Sequence, residues 1–224
     1  MGLIDTAVQP LGNDLDRFLL KSISVAGESQ ESGDTPTHGT SMAETILRSL
    51  EMTTKGSTSV QILPVDVYGP NETTTTWNIA DGIKRAVDGG ATVLNLSLGS
   101  DGDSPFLRDL LKDAIQKNIA VFAAAGNQPV TTPFYPAAYS DIGVIAVTAT
   151  DGQGQLASYA NRGSFVTAAA PGTSLIYFNG QEWYAVGTSS ATAVASGMAA
   201  GFMDTTHAGV DKMKSFIQTT LGVK

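Results

Sequence analysis

Cysteine is absent from the 224 residues. That excludes a disulfide framework and thiolate chemistry, and it leaves the compartment open, because a domain of this size folds without cross-links. Positive charge is scarce as well. Thirteen Lys and Arg stand against 21 Asp and Glu, a net charge of −8. That balance argues against nucleic acid or an anionic membrane as the partner. Aromatic residues make up 7% of the chain, and histidine occurs only twice. Imidazole chemistry therefore rests on His38 or His207. No basic segment opens the chain, since Met1 leads directly into Gly2-Leu3-Ile4, so no signal peptide is read here. Long apolar runs are missing too. Residues 183–203 carry no charge, but they are mostly Ala, Gly, Ser and Thr. They predict a buried, close-packed helix in place of a membrane span.

What is present is 42% hydrophobic residues and 24 glycines, enough for one well-buried domain over residues 1–224. Gly2-Leu3-Ile4 is a short apolar run ending in Asp5. Alternation predicts a strand over 22–25, and 27–37 read as a polar loop. His38-Gly39-Thr40-Ser41 opens a helix to about Leu50, with Met42, Ile46, Leu47 and Leu50 on its apolar side. Residues 51–59 form a turn-rich linker. A β-branched strand over 60–67, a polar loop over 71–76, a helix over 77–88 and a strand over 91–98 follow. Ser104-Pro105 is a cap and first turn for a helix that stops near Asn118. Strands are predicted over 119–125, 142–148 and 164–170. Asn179-Gly180 joins two strands, 175–178 and 182–186, as a hairpin. A last helix covers 210–221. Strands that alternate with helices and are apolar throughout give an α/β fold with a mostly parallel sheet. Sites in such folds lie at the carboxyl ends of the strands. Asp5, Ser97-Leu98-Gly99 and Gly126-Asn127 all stand at predicted strand ends.

Each chemical signal has two readings. Ser189 starts the uncharged helix, so it is either a cap or a nucleophile facing backbone N–H groups. His38 either helps start its helix or acts as a base. His207 reads as a solvated turn residue. Asn127 after Gly126 is a turn residue or an amide donor. Taken together, Asp5, His38, Asn127 and Ser189 supply an orienter, a base, a donor and a nucleophile.

At these residues the chain resembles the subtilisin-like serine proteases. Leu3-Ile4-Asp5-Thr6-Ala7 is similar to the family's aspartate at a strand end. His38-Gly39-Thr40-Ser41 is similar to its H-G-T-H motif, and Asn95-Leu96-Ser97-Leu98-Gly99 to its strand ending S-L-G. Ala124-Ala125-Gly126-Asn127 matches A-A-G-N, Tyr135-Pro136-Ala137 matches Tyr-Pro-Ala, and Ala170-Pro171-Gly172 matches Ala-Pro-Gly. Gly187-Thr188-Ser189-Ser190-Ala191 matches G-T-S-x-A. The order Asp, His, Asn, Ser is the family's. The resemblance implies a subtilisin-like three-layer α/β fold, a mostly parallel central sheet flanked by helices. It implies a catalytic triad of Asp5, His38 and Ser189, with Asn127 in the oxyanion hole. Ser97, Leu98, Gly99, Ala125, Gly126 and Phe134 are the implied substrate-binding residues. The activity implied is peptide-bond hydrolysis on polypeptide substrates, with no cofactor required for the chemistry. Family analogy places such a protein outside the cell, while the missing signal peptide fits the cytoplasm.

The chain also departs from the family. Four residues precede Asp5, which implies a domain without the usual N-terminal segment and pro-region; a pro-region or a processing partner is an expected partner beside the substrates. Ser41 replaces the second histidine, and Glu44 stands where a small residue is usual. Ala193 replaces a proline, which predicts a different course for the nucleophile helix. Residues 51–59 lack the asparagine-rich pattern of the family's calcium site, so no metal site is predicted. Phe134 stands where a small residue often floors the specificity pocket, so a shallow pocket that prefers a small side chain is expected. The alternative function is a catalytically silent protein of this fold that binds peptides or a partner. An esterase of the α/β-hydrolase type is disfavoured by the missing G-x-S-x-G elbow and by the order of acid, base and serine.

Overall fold

The computed structural model describes residues 1–29, 32–54 and 56–223. Gln30 and Glu31 of the expected loop, Lys55 of the expected linker and the terminal Lys224 lie outside the described residues.

Seven strands make one sheet: β1 (Gly2–Asp5), β2 (Ile23–Ser24), β3 (Leu63–Asp66), β4 (Val93–Leu96), β5 (Ala120–Ala124), β6 (Ile145–Thr150) and β7 (Ala168–Pro171). They are ordered β2-β3-β1-β4-β5-β6-β7, and every neighbouring pair is parallel. The helices are α1 (His38–Thr54), α2 (Thr76–Asp88), α3 (Pro105–Gln116), α4 (Thr188–Thr206) and α5 (Val210–Leu221). Because successive strand residues point to opposite faces, Leu3 and Phe122 join a core with α1, α4 and α5. Ile4, Val121 and Ala123 join another with α2 and α3. Helices therefore cover both faces, which is the expected three-layer α/β arrangement. A hairpin of β8 (Thr173–Phe178) and β9 (Gln181–Val186) stands apart from the sheet. Asn179 and Gly180 at its tip have φ of 50° and 73°, as a two-residue primed turn requires.

The strand order creates a switch point. After β1 the chain builds β2 and β3 on one side, then crosses to build β4 to β7 on the other. The carboxyl ends of β1 and β4 thus part above the sheet, and that crevice is where ligands of such folds sit. β1 has only four residues, yet it is paired with β3 through Asp5 on one side and with β4 through Ile4 on the other. Asp5 is thereby set at the centre of the sheet edge, despite the shortness of the chain before it.

The uncharged run becomes α4. Its residues from Thr188 to Gly201 are buried except Ser189, and small side chains let it lie against α1. A β-carbon added to Gly197 would stand 2.6 Å from the Ile46 carbonyl oxygen, and one on Gly201 would overlap the Thr53 hydroxyl. The helix runs unbroken through Ala193, since alanine favours the helical interior. Among the described residues no helix is long and apolar enough to cross a membrane.

Several boundaries move. α1 continues to Thr54, whose hydroxyl bonds the Leu50 carbonyl. The strand expected over 142–148 starts later, at Ile145, because residues 137–142 coil into 3-10 turns. The strand expected over 164–170 shrinks to β7, because Val166 N–H turns back to the Gly163 carbonyl. The strand over 22–25 retains only two residues.

Candidate active site

Asp5 ends β1 and is 1% exposed. Its Oδ1 accepts from the Thr6 N–H at 2.7 Å and lies 2.6 Å from His38 Nδ1. A carboxylate at Nδ1 holds the proton on that nitrogen and leaves Nε2 bare. The Asp5 charge raises the His38 pKa above its ordinary 6.5; partial burial works against this, and the hydrogen bond adds to it. Among the described residues Asp5 Oδ2 is the buried side-chain atom left without a partner.

The local sequence explains how His38 arrives there. Thr37 caps α1: its hydroxyl accepts the Thr40 N–H and its carbonyl accepts the Ser41 N–H. Gln9 Oε1 takes the Thr37 N–H at 2.8 Å and the Thr40 hydroxyl at 3.0 Å. Gly39 donates to Thr6 Oγ1 at 2.8 Å, and any β-carbon on it would overlap the Thr6 carbonyl. The glycine after the histidine is thus what lets the head of α1 touch the end of β1. Ser41, where the family has histidine, sends its hydroxyl back to the Thr37 carbonyl. Glu44 is buried, pairs with Arg48, and accepts the Tyr177 N–H at 2.8 Å, tying the histidine's helix to the hairpin ahead of Ser189.

Ser189 lies in the first turn of α4. Its hydroxyl donates to the Ser97 carbonyl at 3.2 Å, and Ser97 Oγ donates to the Ser189 carbonyl at 3.1 Å. Asn95 and Ser196 continue this chain of bonds beneath the sheet. Asn127 is exposed at the end of β5. Its Oδ1 accepts from the Thr188 N–H at 2.9 Å and from the Thr188 hydroxyl at 3.0 Å. The backbone N–H is only a donor, so it identifies the amide oxygen and leaves Nδ2 available. Thr188 Oγ1 also accepts the Gly126 N–H, so one threonine joins the Ala125-Gly126-Asn127 turn to the serine's helix.

Asn161, wholly buried, braces that turn from below. It donates from Nδ2 to the Ala125 carbonyl at 2.8 Å and accepts the Gln128 N–H at 2.9 Å, while its own N–H meets the Gly126 carbonyl at 3.0 Å. Sequence reasoning missed Asn161, Gln9 and Thr188 as supports. Thr188 is inside a quoted motif, but its hydroxyl's partners come from 61 and 62 residues away.

Along the same edge, Leu98, Gly99 and Ser100 face Tyr68, Glu72, Thr74 and Ile79 across a cavity of about 320 Å³, closed by Tyr135 and Pro136. The loop at 68–75 flanks this cavity. Ser100 and Tyr135 exchange two backbone hydrogen bonds. Burial, with the nearby Asp5 charge, pushes the Tyr68 phenol up to about 12, so it stays a neutral donor. Phe134 lies between Gly99 and Gly126. His207, in contrast, ends α4 at its far terminus in a left-handed, exposed turn, away from Ser189.

Among the described residues no group of three or more His, Asp or Glu is placed to hold a metal ion. In the 51–59 segment the Thr58 hydroxyl and the Ser59 N–H and hydroxyl are committed to Asp204.

The geometry therefore joins Asp5 to His38, Ser189 to Ser97, and Asn127 to the head of α4, all at one sheet edge. Known proteins resemble the chain in sequence and fold. The chain is 35% identical over 205 residues to the thermophilic serine proteinase of Bacillus sp. (strain AK1), covering 89% of this chain and 51% of that protein. It is 37% identical over 148 residues to thermitase of Thermoactinomyces vulgaris, covering 65% and 52%. It thus spans about half the length of these relatives. The solved structure of a mutant protease domain of PatA superposes with a TM-score of 0.74 at 26% identity, over 91% of this chain and 79% of that one. A psychrophilic protease superposes at 0.79 with 23% identity, over 97% and 81%, and shows the fold alone. The sequence profile of the subtilase family matches residues 1–222, and this chain belongs to the subtilase family.

Proposed function

We propose that the chain is a serine endopeptidase acting through an acyl-enzyme on Ser189. His38 Nε2 takes the Ser189 proton as the hydroxyl attacks the peptide carbonyl, then gives it to the leaving amine. Asp5 holds the imidazole in the tautomer this needs and stabilises the imidazolium. The oxygen that gains charge is met by Asn127 Nδ2 and the Ser189 N–H, at the positive end of α4. An extended polypeptide lies along Ser97-Leu98-Gly99 as an added strand. Its arrival supplies an N–H for the Ser97 carbonyl, the present partner of the Ser189 hydroxyl, and so releases that hydroxyl toward His38. None of these steps calls on a metal or an organic cofactor.

The observation that carries this reading is the 2.6 Å Asp5–His38 contact at the same edge as a serine in a helix's first turn. One further observation favours a silent peptide-binding protein: the serine hydroxyl is bonded to Ser97. Treatment with a fluorophosphonate separates the two. Covalent labelling of the wild type, lost in Ser189→Ala, is the expected result. A folded wild type that never labels would leave only the binding reading.

A further inference from the structure

The space beside the reacting carbonyl is already taken. Gly99 and Gly126 stand on the two segments between which a substrate side chain would have to enter, Ser97-Leu98-Gly99 on one side and Ala125-Gly126-Asn127 on the other. Neither glycine has a side chain to narrow the slot. The ring of Phe134 does so instead. A β-carbon on Gly99 would overlap Phe134 Cε1 and lie 2.9 Å from Cδ1, and one on Gly126 would lie 3.2 Å from Cδ1. The ring is thus in contact with both walls.

Its backbone leaves it little freedom to withdraw. Tyr135, the next residue, donates to the Ser100 carbonyl at 2.7 Å and accepts the Ser100 N–H at 2.9 Å. The Phe134 carbonyl accepts the Ala138 N–H at 2.8 Å, and the ring packs against the α2–α3 core. By contrast the 320 Å³ cavity on the Tyr135 side of Gly99 is open, and Ile79, Leu98 and Leu107 line it.

We infer that Phe134 restricts cleavage to peptide bonds whose carbonyl is contributed by glycine or alanine. This rests on the proteolytic reading above. An acyl carbon on Ser189, with its oxygen toward Asn127, directs its own side chain between the two glycines. A methyl group fits beside the ring, whereas Leu or Phe would have to displace it from close-packed surroundings. Selectivity for larger apolar side chains moves upstream along the peptide, to the open cavity.

The test is a set of four fluorogenic peptides differing only in the residue that supplies the scissile carbonyl: Gly, Ala, Leu or Phe. The wild type is expected to favour Gly and Ala in kcat/KM on the order of 100-fold. Phe134→Gly is expected to bring the Phe peptide up by on the order of tenfold or more. Phe134→Leu keeps a bulky apolar side chain against the core and gives an intermediate gain, which guards against misfolding of the glycine variant. Equal turnover of all four peptides by the wild type overturns the inference, as does an unchanged preference in both variants. Turnover of none of them overturns the proteolytic reading, and this inference with it.

Discussion

Helices α2 and α3 on one face of the sheet and α4 on the other begin in different ways. α2 and α3 are surface helices with side-chain caps: Thr75 Oγ1 accepts the Asn78 N–H, and Ser104 Oγ accepts the Leu107 N–H. Helix starts carry four N–H groups without intrahelical partners, and these caps settle one each. α4 begins at Gly187, with φ 150° and ψ 174°, and its cap residue makes no side-chain bond. The Thr188 N–H goes to Asn127, and the amides behind it are left uncapped by Gly187. One face spends its helix starts on stability. The other leaves the start of α4 without a side-chain cap, at a glycine whose backbone angle few other residues adopt.

The largest test of that contrast is Asn127→Ala. It removes the side-chain donor beside the α4 amides, and kcat is expected to fall on the order of 100- to 1000-fold with little change in KM, a magnitude carried over from subtilisin, where it was measured. Steady-state kinetics on the alanine peptide checks it. An unchanged kcat would mean that the uncapped helix start is not used for catalysis. Thr188→Val tests the link between the two segments. It deprives the Gly126 N–H of its acceptor and Asn127 Oδ1 of one of two donors, and about a tenfold drop in kcat is expected. A loss of KM alone would assign Thr188 to binding.

α1 sharpens the comparison, because its first turn holds an ionisable side chain. A protonated histidine is disfavoured at a helix N-terminus, yet Asp5 reverses that and raises the His38 pKa. The proposed mechanism needs neutral His38, so kcat/KM should fall about tenfold per pH unit on the acid side, with a midpoint above 6.5. Stability runs the other way. The stabilisation from the raised pKa is complete below 6.5 and is lost as pH rises through the folded value. Asp5→Asn should shift the NMR titration of His38 downward, and an unmoved titration would detach the imidazole from Asp5. The smallest effect belongs to the ordinary cap. Thr75→Ala should cost about 1 kcal/mol of stability in denaturant titrations and leave kcat alone. A loss of activity there would erase the distinction between the two kinds of helix start.

Much of this was legible in the chain because its signals are local. An aspartate closes an apolar run at Asp5, a glycine follows His38, and a turn-forming Gly126-Asn127 ends a strand. Each is a short-range demand that a few adjacent residues reveal. The layer order and parallel sheet followed from apolar strands alternating with helices. What was hidden depends on distant partners. Asn161 sits between Ala160 and Arg162 with no pattern around it, and its bonds reach back 36 and 33 residues to Ala125 and Gln128. The security of β1 was equally invisible, since it comes from neighbours on both sides and not from its own four residues. Strand ends at Ile145 and Ala168 were missed because turns held by nearby carbonyls overrode apolar composition.

The switch point has a bearing on when this chemistry can first exist. Asp5 and His38 are 33 residues apart, but the bonds from Ser97 to Ser189 and from Asn127 to Thr188 span 92 and 61. Long separations of this kind form late, after costly loop closure. A chain emerging from the ribosome holds Asp5 and His38 long before it holds Ser189. Until α4 has packed against the finished sheet, Ser189 cannot join Asp5 and His38 at its edge.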